Sequence, residues 1–346
     1  MSETVGAAVH GGAPRGWLDL SANANPLGVP AEVRAAVETA RYDTYGEIDT
    51  ARAERHLAAD AGVPSRRVLL TAGATEALRV VAAAFLRPGD HVLAHAPSYN
   101  EYVRVSRSCA ARVTEVRATG PRLAFPGRAF AERLRSGMFR LAFLCDPNNP
   151  TGGALDGDRL RRIAAAAPPS TVLVVDQSFA WSAPDRHSAD LVSTHGRTVI
   201  IRSLTKRLAA PGVRVGYVIA PPPIIRRLRA VQDPWTVGAH ACRAAEVATW
   251  TPPRADLDEL AVLRTRLARS LRDLGFASLP SRTSFVLVHV GDDAEELVRR
   301  LAARRIAVRW CGSFGLPQHV RIAVRPPHEQ DALIAALKDI RGGPRR

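Results

Sequence analysis

The sequence predicts an α/β protein with a mostly parallel central sheet, flanking helices and a smaller α/β lobe. Short apolar runs alternate with helical patterns through the middle of the chain, which is typical of parallel strands covered by helices on both faces. Polar residues follow directly after several of these runs, where α/β folds place their sites. The pattern changes in the C-terminal third, and this change predicts the smaller lobe.

The large part of the chain reads as apolar strands separated by amphipathic helices. In chain order the predicted elements are a strand and turn at 66–73, a helix at 74–86, and strands with their following loops at 91–99, 140–152, 171–179, 198–206 and 214–220. Because these strands are short and separated by helices, we expect them to lie side by side in one sheet.

The C-terminal third continues with a long helical pattern that stops at a glycine. Its predicted elements are a helix at 256–275, a strand at 285–290, a helix at 293–304, strands at 306–310 and 319–325, and a helix at 328–341. The first forty residues are rich in Gly and Pro. We therefore expect an N-terminal segment at 1–40 that packs on the small lobe, a large domain at 41–245 and a small domain at 246–346.

Composition restricts the class of protein. The chain has 346 residues, of which 46% are hydrophobic and 23% charged, as in an ordinary globular protein. No apolar run approaches the roughly 18 residues that a membrane helix needs, and the N-terminus lacks the layout of a secretory signal. We expect a cytoplasmic protein that does not bind a membrane. The four cysteines are far apart, so neither a metal site nor a disulfide is expected.

The formal net charge of +15 raises the possibility of a nucleic-acid partner. The arginines are spread along the whole chain, without a long basic block or interleaved aromatic residues. Clustered charge, rather than total charge, is the usual feature of a nucleic-acid surface. We therefore predict a small anionic substrate and no nucleic-acid partner.

Lysine is almost absent from this basic chain. Only Lys206 and Lys338 occur, and every other basic residue apart from histidine is arginine. Lys206 follows a predicted strand in S-L-T-K, whereas Lys338 lies in the last predicted helix. A lysine amine with a depressed pKa can form a Schiff base, which a guanidinium cannot do. A surface lysine that persists by chance is the alternative explanation for either position.

Other residues in the sequence favour a catalytic role for Lys206. Further polar or small residues stand just after strand patterns, and their types suit a pyridoxal phosphate site: Ala74, Thr75, Tyr99, Asn149, Asp176 and Arg214. The ordered set G-A-T-E, P-S-Y, N-P-T-G, D-x-x-F, S-x-T-K and G-V-R-V-G-Y resembles the class I/II aminotransferases of fold type I, which use pyridoxal 5'-phosphate. The resemblance covers most of the chain, and the set is specific only jointly.

This resemblance implies a role for each matching residue. Lys206 would bind the cofactor covalently and move protons, and Asp176 would pair with the pyridine nitrogen. Asn149 would hydrogen-bond the ring oxygen; the alternative is a plain Asn-Pro turn, which is a credible explanation for Asn148. Tyr99 would stack on the ring, or pack as an ordinary core aromatic.

The cofactor phosphate would lie at the start of the predicted helix at 74–86. Free backbone N–H groups and the helix dipole favour an anion there. Ala74 stands at this start, and Thr75 adds a hydroxyl group. Ser203 and Arg214 would complete the phosphate site, the latter through charge-assisted hydrogen bonds.

The family also implies substrate and partner contacts. Arg321, in H-V-R-I-A-V-R, matches the arginine that binds the substrate carboxylate in a forked pair. Tyr45, in D-T-Y-G-E, resembles a tyrosine that reaches the partner subunit's cofactor, and Tyr42 competes for that alignment. The resemblance therefore implies a homodimer with a shared active site.

Two subgroups of the family are similar to this chain: threonine-phosphate decarboxylases and histidinol-phosphate aminotransferases. The strings H-G-G, D-L-S-A-N-A-N-P-L-G and P-W-T-V resemble the decarboxylase pattern, which implies substrate contacts for Asn25 and for Arg325 beside Arg321. We therefore favour a decarboxylase-like enzyme acting on a small, phosphorylated amino acid. An aminotransferase is the first alternative, and a regulator that has lost catalysis is the second.

The chain departs from the family pattern at three places. Gln177, Ser178 and Phe179 follow Asp176 where Glu-Ala-Tyr or Glu-Ala-Phe is usual, and Phe179 cannot donate a hydrogen bond to the cofactor. Ala72 and Gly238 stand where the family commonly has asparagine. These departures leave the predicted cofactor site intact and make the substrate the open question.

Overall fold

The computed structural model describes residues 11–41, 43, 50–183 and 190–342. These residues form thirteen strands: β1 (Leu18–Asp19), β2 (Val68–Thr71), β3 (His91–Ala96), β4 (Arg112–Arg117), β5 (Leu141–Cys145), β6 (Val172–Asp176), β7 (Thr198–Ser203), β8 (Gly216–Ile219), β9 (Ala277–Ser278), β10 (Phe285–His289), β11 (Ile306–Ala307), β12 (Arg309–Trp310) and β13 (His319–Ala323).

The same residues form thirteen α-helices, two of which have only four residues. They are α1 (Ala31–Glu38), α2 (Ala51–Asp60), α3 (Ala74–Phe85), α4 (Glu101–Ser108), α5 (Gly127–Arg135), α6 (Gly157–Ala165), α7 (Leu191–Thr194), α8 (Leu204–Arg207), α9 (Pro222–Arg229), α10 (Ala239–Val247), α11 (Arg254–Asp273), α12 (Ala294–Ala302) and α13 (Pro327–Gly342).

Seven strands form the central sheet, in the order β2-β8-β7-β6-β5-β3-β4. Only β8 runs opposite to the other six strands, so the predicted mostly parallel sheet is confirmed. Every residue of β5, β6 and β7 is buried, because helices cover both faces of the sheet. The edge strand β4 was not predicted. Its charged residues alternate with half-buried ones, and such a pattern lacks the apolar run by which the other strands were recognised.

A second sheet lies in the C-terminal part of the chain. It is antiparallel, with the order β12-β13-β10-β9. Helices α11 and α12 pack against its strands, and α13 contacts both of these helices. The segment at 306–310, predicted as one strand, is two short strands, because β11 pairs with β1 whereas β12 pairs with β13.

The N-terminal segment contacts both parts of the chain. Its strand β1 pairs in parallel with β11 of the C-terminal part, whereas α1 packs against α10. The predicted boundary at residue 245 falls inside α10. The division into 1–40, 41–245 and 246–346 therefore stays a prediction.

Gly216 allows the close approach of β8 to β7 and to the turn before α3. A Cβ atom at this position would lie 2.8 Å from the Arg202 carbonyl oxygen and 3.0 Å from the Gly73 Cα. Both contacts are with backbone, which cannot move aside as a flexible side chain does. A glycine is therefore required where these three segments meet.

We expect Gly216→Ala to lower the free energy of unfolding by about 1–3 kcal/mol, because the added methyl group overpacks this contact. The matched control is Gly212→Ala, four residues earlier, where a Cβ would meet no atom within 4 Å. That variant should stay within about 0.5 kcal/mol of the parent. Urea unfolding followed by circular dichroism measures both, and equal midpoints would contradict the proposed packing constraint.

Candidate active site

The candidate site is a cavity of about 760 Å³ at the carboxyl ends of β5, β6 and β7. Residues of the N-terminal segment and of the C-terminal sheet close it. Nine of the residues singled out in the sequence line this cavity: Ala74, Thr75, Tyr99, Asn149, Asp176, Ser203, Lys206, Arg214 and Arg321. Tyr42 and Tyr45 lie outside the described residues.

Lys206 stands in α8, the short helix that follows β7 directly. Burial lowers the pKa of Lys206 to about 8, and the nearby guanidinium groups of Arg321 and Arg214 act in the same direction. Asp19 acts weakly against them. At neutral to mildly basic pH the amine therefore exists in both protonation states, which suits a group that attacks a carbonyl carbon or transfers a proton.

Asp176 ends β6 and is 2% exposed. Its Oδ1 accepts hydrogen bonds from the backbone N–H of Ser178 (2.8 Å) and from its hydroxyl group (2.6 Å), and its Oδ2 accepts one from the Tyr102 hydroxyl (2.8 Å). Burial raises the pKa of Asp176, and these three donors oppose that rise. The carboxylate is thus fixed in orientation and can still accept from a protonated ring nitrogen.

Arg321 and Asn149 meet across the two parts of the chain. Arg321 Nη1 donates to Asn149 Oδ1 (2.5 Å), and its Nη2 donates to the Ser21 carbonyl oxygen (2.8 Å). The guanidinium carbon lies 5.4 Å from the centre of the Phe285 ring. Both hydrogen-bond acceptors are neutral, and burial lowers the pKa of Arg321 to about 10. The charge of Arg321 is therefore available to an anion in the cavity.

A candidate phosphate site lies at the N-terminus of α3. Gly73 precedes the helix with φ of +84°, and a Cβ there would lie 3.0 Å from Arg214 Nη2. The arginine therefore lies directly beside the free N–H groups of the helix. Thr75 and Ser203 add hydroxyl groups, and the Ser203 hydroxyl lies 2.7 Å from that of Thr205. This combination is the usual donor set for a phosphate.

Tyr99 forms one wall of the cavity. Its hydroxyl lies 3.4 Å from Thr75 Oγ1, and its ring meets that of Tyr102 edge to face at a centroid distance of 5.7 Å. Burial raises the pKa of Tyr99 to about 12, so the phenol stays neutral. A flat ring held in this way can stack on a planar ligand, as the sequence predicted.

Two predicted substrate residues do not line the cavity. Asn25 donates from Nδ2 to the Arg207 carbonyl oxygen (3.1 Å) and accepts from the Leu27 N–H (3.2 Å), so its side chain joins the N-terminal segment to α8. Asn23 lines the cavity instead. Arg325 forms an ion pair at 2.8 Å with Glu329, in the first turn of α13.

Three residues of the site were not predicted from the sequence. Arg309, in β12, lines the cavity, is 7% exposed and donates to Ser313 Oγ at 2.6 Å. Arg79 lines the cavity one turn after Thr75 on α3. In a chain with so many arginines, nothing distinguished either one. Tyr102 follows Tyr99 by three residues, and this helical spacing is a signal that could have revealed it.

Among the described residues there is no group of three or more His, Cys, Asp and Glu side chains that could hold a metal ion. The described helices also include none that is long and apolar enough to cross a membrane. The polar groups around the cavity are instead the Lys206 amine, guanidinium groups, hydroxyl groups, amides and the carboxylates of Asp19, Glu76 and buried Asp176, and the excess of positive charge suits an anionic organic ligand.

Comparisons with known proteins agree with this set. The family model for aminotransferase class I and II matches residues 15–340. A histidinol-phosphate aminotransferase of Symbiobacterium thermophilum is 34% identical over 334 residues, which cover 93% of this chain and 90% of that protein. The sequence similarity therefore extends over nearly the whole of both chains.

Two solved structures are similar as well. The histidinol-phosphate aminotransferase of Sinorhizobium meliloti, in complex with pyridoxal-5'-phosphate, superposes with a TM-score of 0.84 at 24% identity, covering 92% of this chain and 89% of that one. The L-threonine-O-3-phosphate decarboxylase of Porphyromonas gingivalis gives a TM-score of 0.75 at 25% identity, covering 91% and 97%. The fold is thus common to enzymes of both subgroups.

The low pKa of Lys206 can be tested directly, because the chain contains only two lysines. In ligand-free protein labelled with ¹³C at the lysine ε-carbon, we expect the Lys206 signal to titrate with a midpoint of about 8. In Arg321→Met the midpoint should rise, because a neighbouring positive charge no longer disfavours the ammonium form.

Arg325→Met is the matched control, since Arg325 is already paired with Glu329 and does not line the cavity. It should leave the midpoint unchanged. Lys206→Ala assigns the signal. A midpoint above 10 in the parent protein would show that the amine is neither desolvated nor close to the arginines.

Proposed function

The chain belongs to the class I and II aminotransferases, and from this premise we propose that it transfers the amino group of a small phosphorylated amine, of the histidinol-phosphate type, to a 2-oxo acid, with pyridoxal 5'-phosphate as cofactor. The observation that carries the proposal is the buried amine of Lys206, whose pKa is depressed by burial and by the guanidinium groups of Arg321 and Arg214, in the cavity that Asp176 also lines.

The residues present fit this cofactor. The N-terminus of α3 with Thr75, Ser203 and Arg214 would hold its phosphate, and Asp176 would hold its ring nitrogen. Asn149 and Tyr99 would contact the ring oxygen and the ring face. When bound, the cofactor supplies an electron sink that stabilises negative charge at the substrate's amine carbon.

Asp176 would keep its own orientation throughout, because Ser178 and Tyr102 hold both carboxylate oxygens. Donation by these neutral groups favours the ionised form of a carboxylate that burial would otherwise protonate. An ionised Asp176 favours a proton on the facing ring nitrogen. Ser178 thus contributes a donor that the alanine usual in the family does not have.

Lys206 would move the proton at the amine carbon of the substrate. With a pKa near 8, the free amine can accept that proton and return it at neutral pH, since neither state is strongly favoured. The neighbouring arginines favour the neutral amine, and their effect weakens when an anion pairs with them. The protonation of Lys206 is therefore linked to whether an anion is bound beside Arg321 and Arg214.

Two buried arginines of the cavity, Arg321 and Arg309, favour a phosphorylated substrate. Arg321 and Arg309 both line the cavity and are both buried, and the positive charge of Arg309 acts on Arg321 and disfavours its charged form. Two adjacent guanidinium groups match the double negative charge of a phosphate ester better than the single charge of a carboxylate. Arg79 and Arg214 supply further positive charge around the cavity.

The relatives change the preference drawn from sequence motifs. Those motifs favoured a threonine-phosphate decarboxylase, whereas the curated relatives are named histidinol-phosphate aminotransferases. Asn25, one of the residues behind the decarboxylase preference, also does not line the cavity. Decarboxylation remains the second candidate, because a decarboxylase of the same fold superposes over most of the chain.

We also propose a homodimer in which a second copy completes the site. Trp235 is 59% exposed, an unusual state for so large an apolar side chain, and the next residue, Thr236, lines the cavity. A partner that covers Trp235 would therefore lie at the mouth of the cavity. This arrangement is consistent with a tyrosine, Tyr45 or Tyr42, that reaches the partner's cofactor.

The reaction is tested with purified protein and pyridoxal phosphate. With histidinol phosphate and 2-oxoglutarate we expect glutamate formation, and after borohydride reduction we expect a pyridoxyl adduct on the Lys206 peptide by mass spectrometry. Lys206→Ala should lose both, because no other lysine lines the cavity. Release of CO₂ from O-phosphothreonine without glutamate formation would establish the decarboxylase instead. An adduct without turnover of either substrate would support a regulatory role.

The phosphate contact is tested separately with Arg309→Met. We expect KM for histidinol phosphate to rise about 10- to 100-fold, because a charge-assisted hydrogen bond worth about 1.5–3 kcal/mol is lost. KM for unphosphorylated histidinol should change little. Arg325→Met is again the control and should affect neither substrate. An equal loss with both substrates would show that Arg309 maintains the shape of the cavity rather than binding phosphate.

A further inference from the structure

A second cavity, of about 600 Å³, lies beside the catalytic one and shares none of its lining residues. The N-terminal strap, which we define as residues 25–30, forms one side. The starts of α1, α11 and α13 form the others, and Arg207 lines it from the turn that carries Lys206. None of its residues has a role in the proposed reaction.

Arg207 is a buried charge that lacks hydrogen-bond partners. Its side chain is 3% exposed, and within the described part of the chain its Nε and Nη1 atoms donate to no acceptor. Burial lowers the pKa of Arg207, whereas Asp256 and Glu32 act in the opposite direction. A buried guanidinium without acceptors is costly, and Arg207 lines this cavity, so an acceptor bound in the cavity would offset that cost.

Three helix N-termini meet at the same cavity. Pro30 precedes α1, Pro253 precedes α11 and Pro326 precedes α13, and all three prolines line the cavity. No side chain caps α1 or α11. The first N–H groups of a helix have no partner within the helix, and the dipole gives that end partial positive charge. The helix ends therefore add to the attraction that Arg207 exerts on an anion.

The cavity also contains negative charge. Glu32 lies in the first turn of α1, and Asp256 and Glu259 lie near the start of α11. Arg207 and Asp256 are within range of mutual electrostatic influence, yet no hydrogen bond joins them. Three carboxylates disfavour a simple anion and favour a ligand that also carries a positive charge.

We propose that this cavity binds a small zwitterion of the amino-acid class, with its carboxylate on Arg207 and the helix N-termini and its ammonium group facing Glu32, Asp256 and Glu259. Each charge of such a ligand meets an opposite charge already present in the cavity. The site goes beyond the proposed reaction, because it is separate from the cavity that contains Lys206.

The strap links this site to Lys206. The Asn25 N–H donates to the Lys206 carbonyl oxygen (2.9 Å), and Asn25 Nδ2 donates to the Arg207 carbonyl oxygen (3.1 Å). A ligand held between the strap and Arg207 stabilises both hydrogen bonds. Binding at the second cavity therefore fixes the backbone of α8, the short helix that contains Lys206.

The test uses N,N-dimethylglycine and the holoenzyme, followed by isothermal titration calorimetry. This probe carries both charges, and its tertiary amine cannot form an imine. We expect one bound molecule per chain, and binding at least about tenfold weaker for acetate or dimethylamine alone, since each lacks one of the two charges. Arg321→Met should retain binding, because Arg321 belongs to the catalytic cavity.

Arg207→Met should weaken binding of the probe about 10- to 100-fold, because the carboxylate loses a charge-assisted partner. The matched control is Arg269→Met, an exposed arginine in the middle of α11, which should leave binding unchanged. If Arg207→Met does not fold, Glu259→Gln at the exposed rim gives the answer, with an expected loss of about threefold or more.

Hydrogen exchange gives a second readout. The probe should slow exchange in the strap peptide at 25–30 of the parent protein and should have no such effect in Arg207→Met. Three results would overturn the proposal: no binding to the parent protein, binding that disappears in Arg321→Met but persists in Arg207→Met, or acetate binding as tightly as the probe.

Discussion

The desolvation of positive charge around one lysine is the constraint on which the candidate site depends. Lys206, Arg321 and Arg309 are withdrawn from water at the same cavity. The Arg321 guanidinium hydrogen-bonds to neutral oxygens of Asn149 and Ser21 rather than to a carboxylate. Such a cavity favours a neutral amine at Lys206 and an anion beside the arginines. In the proposed reaction, cofactor attachment, proton transfer and substrate selection would all depend on this one electrostatic condition.

The sequence predicted the part of the site that lies at strand ends. Asn149, Asp176 and Ser203 follow or end apolar runs, and parallel strands bring their carboxyl ends to one edge of a sheet. The N-terminus of α3 was predictable for a similar reason, because Gly73 and the following helical pattern mark where free N–H groups must lie. Local pattern and sheet geometry were sufficient for these residues.

The part contributed by the C-terminal sheet was less predictable. Arg309 reaches the cavity because the chain turns between β11 and β12, and this turn depends on β11 pairing with β1 at the other end of the sequence. Asn23 rather than Asn25 lines the cavity, a difference of two residues in an irregular segment without a period. The reaction itself depends on sub-ångström placement of the substrate bonds, which no motif encodes.

The pairing of β1 with β11 has a consequence for biosynthesis. Leu18 leaves the ribosome long before its partner Ile306 is translated, because the whole central sheet lies between them in the sequence. Strand β1 therefore remains without its pairing partner β11 while the central sheet is synthesised and folds. This segment can thus close the candidate site only after the C-terminal sheet has been synthesised. A truncated translation product that lacks this sheet would contain Lys206 in an incomplete cavity.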